Sequence, residues 1–181
     1  MDSTEKSDFE IVSTIEQDGL ALEFASEQSK ASHTIVLAAV MQNGLALEYA
    51  SQELRSDFEI VLSAVKQSGE ALKYASEQLK ASRIIVLAAV NQYGWALKYA
   101  SLELRSDFEI VLTAVEKKGW ALEYASEQLK SDSRIVLAAV NQNGFALHLA
   151  SPELRSDPGI ILAAVNQNGR VLGYARIASY A

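Results

Sequence analysis

Apolar positions along the chain fall into two short patterns that keep returning. Ile60, Val61, Ala64 and Val65 lie at i, i+1, i+4 and i+5, with Leu62 widening the stripe, which is the spacing of a helix buried on most of its circumference. Beyond Gly69, Ala71, Leu72, Tyr74 and Ala75 place apolar groups on one side of a second, shorter helix. Glycine also stands at 19, 44, 94, 119, 144 and 169, so the whole pattern has an unbroken 25-residue period. A fixed period of this size signals a stacked repeat array.

Polar residues punctuate the pattern. Asp57, Asp107, Asp132 and Asp157, with Ser32 and Ser82 in the same place, can accept from the unpaired amides of a first helical turn. Asp157-Pro158 supports that reading, since proline is tolerated at the first helical position. The periodic glycine, often preceded by asparagine as in Asn43-Gly44, reads as a left-handed cap that ends the long helix. Ser151-Pro152-Glu153-Leu154 predicts a further one-turn segment at the end of each unit. A unit of this size buries too little to fold alone, so repeats must stack, with alanines at 64, 71 and 75 allowing close approach and Leu79 sealing the seam. The expected fold is an all-α solenoid of seven repeats, each a long helix, a glycine turn, a short helix and a one-turn segment, forming a single repeat domain over 1–181.

A longer period overlies the short one. Gln28/Lys30, Gln78/Lys80 and Gln128/Lys130 alternate with Glu53/Arg55, Glu103/Arg105 and Glu153/Arg155, so the duplicating unit was a pair of repeats, 50 residues long. Residues 53–82 and 103–132 share 22 identities in 30, and five of the eight differences surround the glycine turn. The ends depart from the pattern as capping repeats do, through Glu10 in the first unit and Arg170, Gly173 and Arg176 in the last. They predict a complete array.

The pattern Asp-x-x-Ile-Val-Leu-x-Ala-Val-x-Gln-x-Gly-x-Ala-Leu-x-Tyr-Ala-Ser-x-x-Leu-Arg-x-Asp, whose core is seen from Ala64 to Ser76, resembles a short helical-repeat family known as domain of unknown function 4116. The resemblance covers about residues 7–175. It implies an architecture and no catalytic residues, and by analogy a module for interaction.

Composition narrows the chemistry. The chain has no cysteine and two histidines, which removes disulfide frameworks and cysteine-based zinc sites. His33 and His148 lie four repeats apart and cannot share a metal, and the solitary glycines form no phosphate loop. No cofactor, metal or catalytic activity is expected. The net charge is -7, with eight acids and two bases in the first 30 residues, and no basic face for nucleic acid exists. The start lacks the basic and apolar regions of a secretory signal and no apolar run approaches a membrane span, which gives a cytoplasmic default.

The informative positions follow each glycine: Leu20, Leu45, Glu70, Trp95, Trp120, Phe145 and Arg170. Stacking would align Trp95, Trp120 and Phe145 as a stripe, surrounded by Tyr93, Lys98, Lys117, Lys118, Glu123 and His148. Two arrangements fit: an exposed interaction stripe with a polar rim, or aromatics packed across the seam between repeats. Glutamines at 17, 42, 67, 92, 142 and 167, with lysine at 117, read as a ladder of hydrogen bonds between successive turns. The functional expectation is a non-enzymatic scaffold that binds a protein or peptide through this variable surface. A self-assembling module is the alternative, and a reader of single-stranded nucleic acid stands third.

Overall fold

The computed structural model describes residues 8–171, with side chains from 11 onward. The chain divides into two compact units, 1–92 and 93–181. Both are tandem helical repeats of one design. In the first unit the long helices are Asp8–Ile15, His33–Gln42, Phe58–Gln67 and Arg83–Gln92. In the second they are Phe108–Lys117, Ser133–Gln142 and Pro158–Gln167. Within each unit consecutive long helices pack on one another and so do the consecutive short ones, giving two layers with the core between them. Ile60, Val61, Ala64, Val65, Ala71 and Leu72 are fully buried, as their spacing predicts. Leu54, Leu79, Leu104 and Leu129 close the seam between repeats. Ser29 takes that place in the first repeat and is buried against Ser26, 3.1 Å between hydroxyls.

The short helices are 3-10 helices. They run Gly19–Phe24, Gly44–Tyr49 and Gly69–Tyr74 in the first unit, and Gly94–Tyr99, Gly119–Tyr124 and Gly144–Leu149 in the second. Six residues with three to a turn eclipse side chains at i and i+3. The one-turn segments follow the 50-residue superperiod. Glu27–Lys30, Glu77–Lys80 and Glu127–Lys130 are α-helical, whereas Leu54–Ser56 and Leu104–Ser106 are 3-10. Pro152–Arg155 departs from the alternation and is α-helical, with proline at its first position, where no amide bond is lost. Backbone bonds staple these segments together: the Ser51 and Ser76 amides donate to the Lys30 and Arg55 carbonyls, and those of Ser126 and Ser151 to Arg105 and Lys130.

The periodic glycine has a different role from the one the sequence suggests. Among the described residues no glycine has a positive φ, so there is no left-handed cap. The residue before it is extended and the glycine opens the 3-10 helix, buried against the next repeat. A Cβ at Gly144 would lie 2.6 Å from the Ala164 carbonyl oxygen, closer than any real contact allows. Glycine is there because another backbone passes over it.

The glutamine ladder is present. The Gly44 and Gly69 amides donate to Oε1 of Gln67 and Gln92, both at 2.6 Å, and those of Gly119 and Gly144 to Gln142 and Gln167 at 2.6 and 2.7 Å. Gln67 and Gln167 return the bond, donating through Nε2 to the carbonyls of Gln42 and Gln142 at 3.1 and 3.3 Å. Each rung thus completes one repeat's turn with the next repeat's side chain. Lys117 cannot form a rung to Gly94, because an ammonium has only donors.

Helix starts are capped by aspartate. Asp57 and Asp107 accept from the amides of Ile60 and Ile110 at 2.9 and 3.0 Å, and Asp132 from Arg134 at 2.9 Å. Asp157 accepts from two amides, Gly159 at 2.8 Å and Ile160 at 2.9 Å. Ser32 stands at the cap position but its side chain makes no capping bond, contrary to the sequence expectation. Serine is not too short for the task, since Ser26, Ser126 and Ser151 each accept from a first-turn amide of their own one-turn helices. Thermal melts should therefore separate the two: Asp157→Ala should cost about 1 kcal/mol and Ser32→Ala close to nothing.

Among the described residues no helix is long and apolar enough to cross a membrane. Gly173 and Arg176, read as capping features, lie outside the described residues, as does the side chain of Glu10. Arg170 is exposed and Val171 is buried.

Candidate functional site

The surface that varies between repeats is the outward side of the 3-10 layer. Three stacked helices build it in the second unit, Gly94–Tyr99, Gly119–Tyr124 and Gly144–Leu149. Each buries its alanine and leucine, Ala96 and Leu97 in the first of them, and turns its second residue outward. Trp95, Trp120 and Phe145 hence form a column of half-buried rings. The i to i+3 eclipse of a 3-10 helix puts Lys98, Glu123 and His148 in a parallel column, all exposed.

Tyr93, Lys117 and Lys118 complete the surround from the ends of the preceding segments. A methyl on Gly94 would meet Cβ of Lys118 at 3.1 Å and of Lys117 at 3.2 Å, so both lysine stems pass beside the start of the Trp95 helix. Tyr93 immediately precedes it, 39% exposed and with no capping bond from its hydroxyl. All nine residues singled out in the sequence thus lie in the second unit, on the column or at its rim.

Two further residues belong to the surface. Tyr124 meets Trp95 edge to face, with ring centroids 5.9 Å apart and planes at 63°. Tyr99 lies under Lys98, whose ammonium is 4.6 Å from the ring centroid. Hydrogen bonding to Tyr99 raises the Lys98 pKa above the ordinary lysine value. The recurring Tyr of Ala-Leu-x-Tyr-Ala-Ser, replaced by Phe24 and Leu149 in two repeats, reads in sequence as part of the apolar side of the short helix, and only its place beside the variable position puts it at the surface. Of the two arrangements the sequence leaves open, packing across the seam is seen at Trp95, which meets Tyr124 of the next repeat and is itself half-buried.

The same layer in the first unit has another character. Tyr74 donates to Glu48 Oε2 at 2.5 Å. The Tyr49 hydroxyl is raised above the usual tyrosine pKa by desolvation and then by the carboxylates of Glu23 and Glu48. Lys73 is tied to Glu70 at 3.1 Å and sits over the Tyr74 ring, and the hydrogen bonds to Tyr74 and Glu70 raise its pKa. Arg55 borders a surface cleft of about 400 Å³ lined also by Tyr74 and Ser76, and its Nε lacks a partner, whereas Arg105 Nε donates to the Tyr124 carbonyl. Among the described residues no three metal-ligating side chains come together.

No curated protein matches the chain. No solved structure matches it either. The family described as Domain of unknown function (DUF4116) matches three times, over residues 34–80, 82–130 and 132–177. Each match spans two of the 25-residue repeats, so the family's unit is the 50-residue pair seen in the alternating one-turn segments. Together the three cover most of the sequence, and the chain belongs to the DUF4116 family.

Proposed function

We propose that this chain is a non-enzymatic helical-repeat scaffold that binds a protein or peptide through the 3-10 face of residues 93–149. One observation carries the reading: a column of half-exposed aromatics, Trp95, Trp120 and Phe145, is flanked by a column of charged and polar groups, Lys98, Glu123 and His148. Large rings edged by polar side chains are the composition of binding hot spots. Between residues 53–82 and 103–132 the buried positions are the same and five of the eight differences gather around the glycine turn that opens this face, so the packed core is held constant while the surroundings of the turn change.

The test compares immobilised full-length wild type with Tyr93→Ala/Trp120→Ala, after circular dichroism shows equal helicity. The double variant should lose a specifically captured protein, since truncating an aromatic anchor costs about 2 kcal/mol, roughly thirtyfold in Kd. Capture of the same protein with unchanged affinity by the folded double variant refutes the reading.

A further inference from the structure

The 3-10 faces of the two units carry opposite charge around the same kind of apolar centre. On the first unit Glu70 neutralises Lys73 through a 3.1 Å contact, which leaves Glu23 and Glu48 as the uncompensated charges of the outward column, with Asp18 at its rim. Beside Glu23 stands Phe24, 69% exposed, where the later repeats of that unit have half-buried tyrosines at 49 and 74. On the second unit Glu123 is the acidic side chain of the column, against Lys98 within it and Lys117 and Lys118 at its rim. An uncovered phenyl ring flanked by carboxylates is the complement of an aromatic column edged by ammonium groups.

We propose that the 3-10 face of residues 93–149 docks onto the 3-10 face of residues 19–74 in a second copy of the chain, an inference that rests on the former being an interaction surface. Each face would bury aromatic and aliphatic side chains at its centre, with the carboxylates of one meeting the ammonium groups of the other at the rim. Such charge pairing fixes register and speeds encounter more than it adds affinity. Two copies can exchange this contact reciprocally as a two-fold pair, or successive copies can pass it on in a larger ring or an open assembly.

Sedimentation velocity of the full chain over a wide concentration range, at low and high salt, tests this. Wild type should show mass that rises with concentration and more weakly at high salt, where rim charges are screened. Lys98→Glu/Lys118→Glu and, separately, Glu23→Lys/Glu48→Lys should each weaken association by about tenfold or more. The decisive sample is an equimolar mixture of the two variants. Each face then again meets its opposite, and association should return to within about threefold of wild type. A general loss of folding in either variant could not produce that recovery. Wild type that stays monomeric throughout, or a mixture that stays as dissociated as its parts, overturns the proposal. In either of those cases, capture of an outside protein that still depends on Tyr93 and Trp120 would leave the interaction-surface reading standing without self-association.

Discussion

Gly144→Ala should destabilise the second unit by about 3 kcal/mol, the upper end of the usual cost of overpacking a close-packed site. The added methyl would stand 2.6 Å from the Ala164 carbonyl oxygen, 3.1 Å from Gln167 Oε1 and 3.2 Å from Val171 Cγ2. The first of these is backbone in the middle of the helix Pro158–Gln167 and cannot swing aside. Relief requires the neighbouring repeat to move, which loosens the Ala and Leu packing and lengthens the Gln167 rung together. Gly169→Ala is the internal control. Nothing lies within 4 Å of a Cβ there and φ is not positive, so restricting the unfolded chain should leave stability unchanged or raise it by up to about 1 kcal/mol. Urea denaturation of both variants checks the pair, and equal effects at the two glycines would show that backbone crowding is not what selects this residue.

Removing one rung should cost nearly as much. Gln142→Leu keeps a side chain of similar bulk but leaves the Gly119 amide without the acceptor it now has at 2.6 Å. A buried donor stripped of its partner costs about 1–3 kcal/mol, more than the same bond contributes when made. The reciprocal substitution, Lys117→Gln, should supply Gly94 with the acceptor that its counterparts already have, and raise stability by about 0.5–1.5 kcal/mol. Amide hydrogen exchange reads both directly: protection at Gly119 should fall in the first variant and protection at Gly94 should rise in the second. Unchanged exchange at Gly94 in a folded Lys117→Gln protein would mean that the rung does not form at that place.

The repeat itself was legible because several kinds of signal agreed on one boundary. Apolar spacing marked the helix from Ile60 to Val65, Asp57 marked its start and Gly69 its end, and each is repeated at a constant interval. The alternation of Lys30, Arg55 and Lys80 gave the paired unit, which the structure repeats in the conformation of the one-turn segments. The glutamine rungs followed from chemistry alone, since a polar residue fixed beside a buried turn needs a partner. Features that depend on partners outside the local window are not legible in this way. The steric reason for Gly144 is a carbonyl 20 residues later, invisible to any rule about turns, and asparagine before glycine imitates the left-handed cap in composition. Six residues from Gly69 to Tyr74 are too few for apolar spacing to separate a three-residue turn from one of 3.6. On the candidate surface, the stripe of Trp95, Trp120 and Phe145 could be drawn from the period. The edge-to-face contact of Trp95 with Tyr124 could not, because it depends on how far one repeat is offset from the next.

Neighbouring repeats are joined by hydrogen bonds that span 19, 21, 23, 25 or 26 residues, as between Arg105 and Tyr124, Ser51 and Lys30, Gly44 and Gln67, Gln67 and Gln42, and Tyr74 and Glu48. The entropy lost on closing a loop grows only with the logarithm of its length, and here that length is about one repeat wherever in either unit the loop closes. Contact order relative to chain length therefore falls as pairs are added, and with it the topological barrier that slows proteins built on distant pairings. A nascent repeat finds its complete docking surface on the repeat synthesised just before it, so ordering can keep pace with elongation. Duplication of a 50-residue unit lengthens such a chain without making it harder to fold.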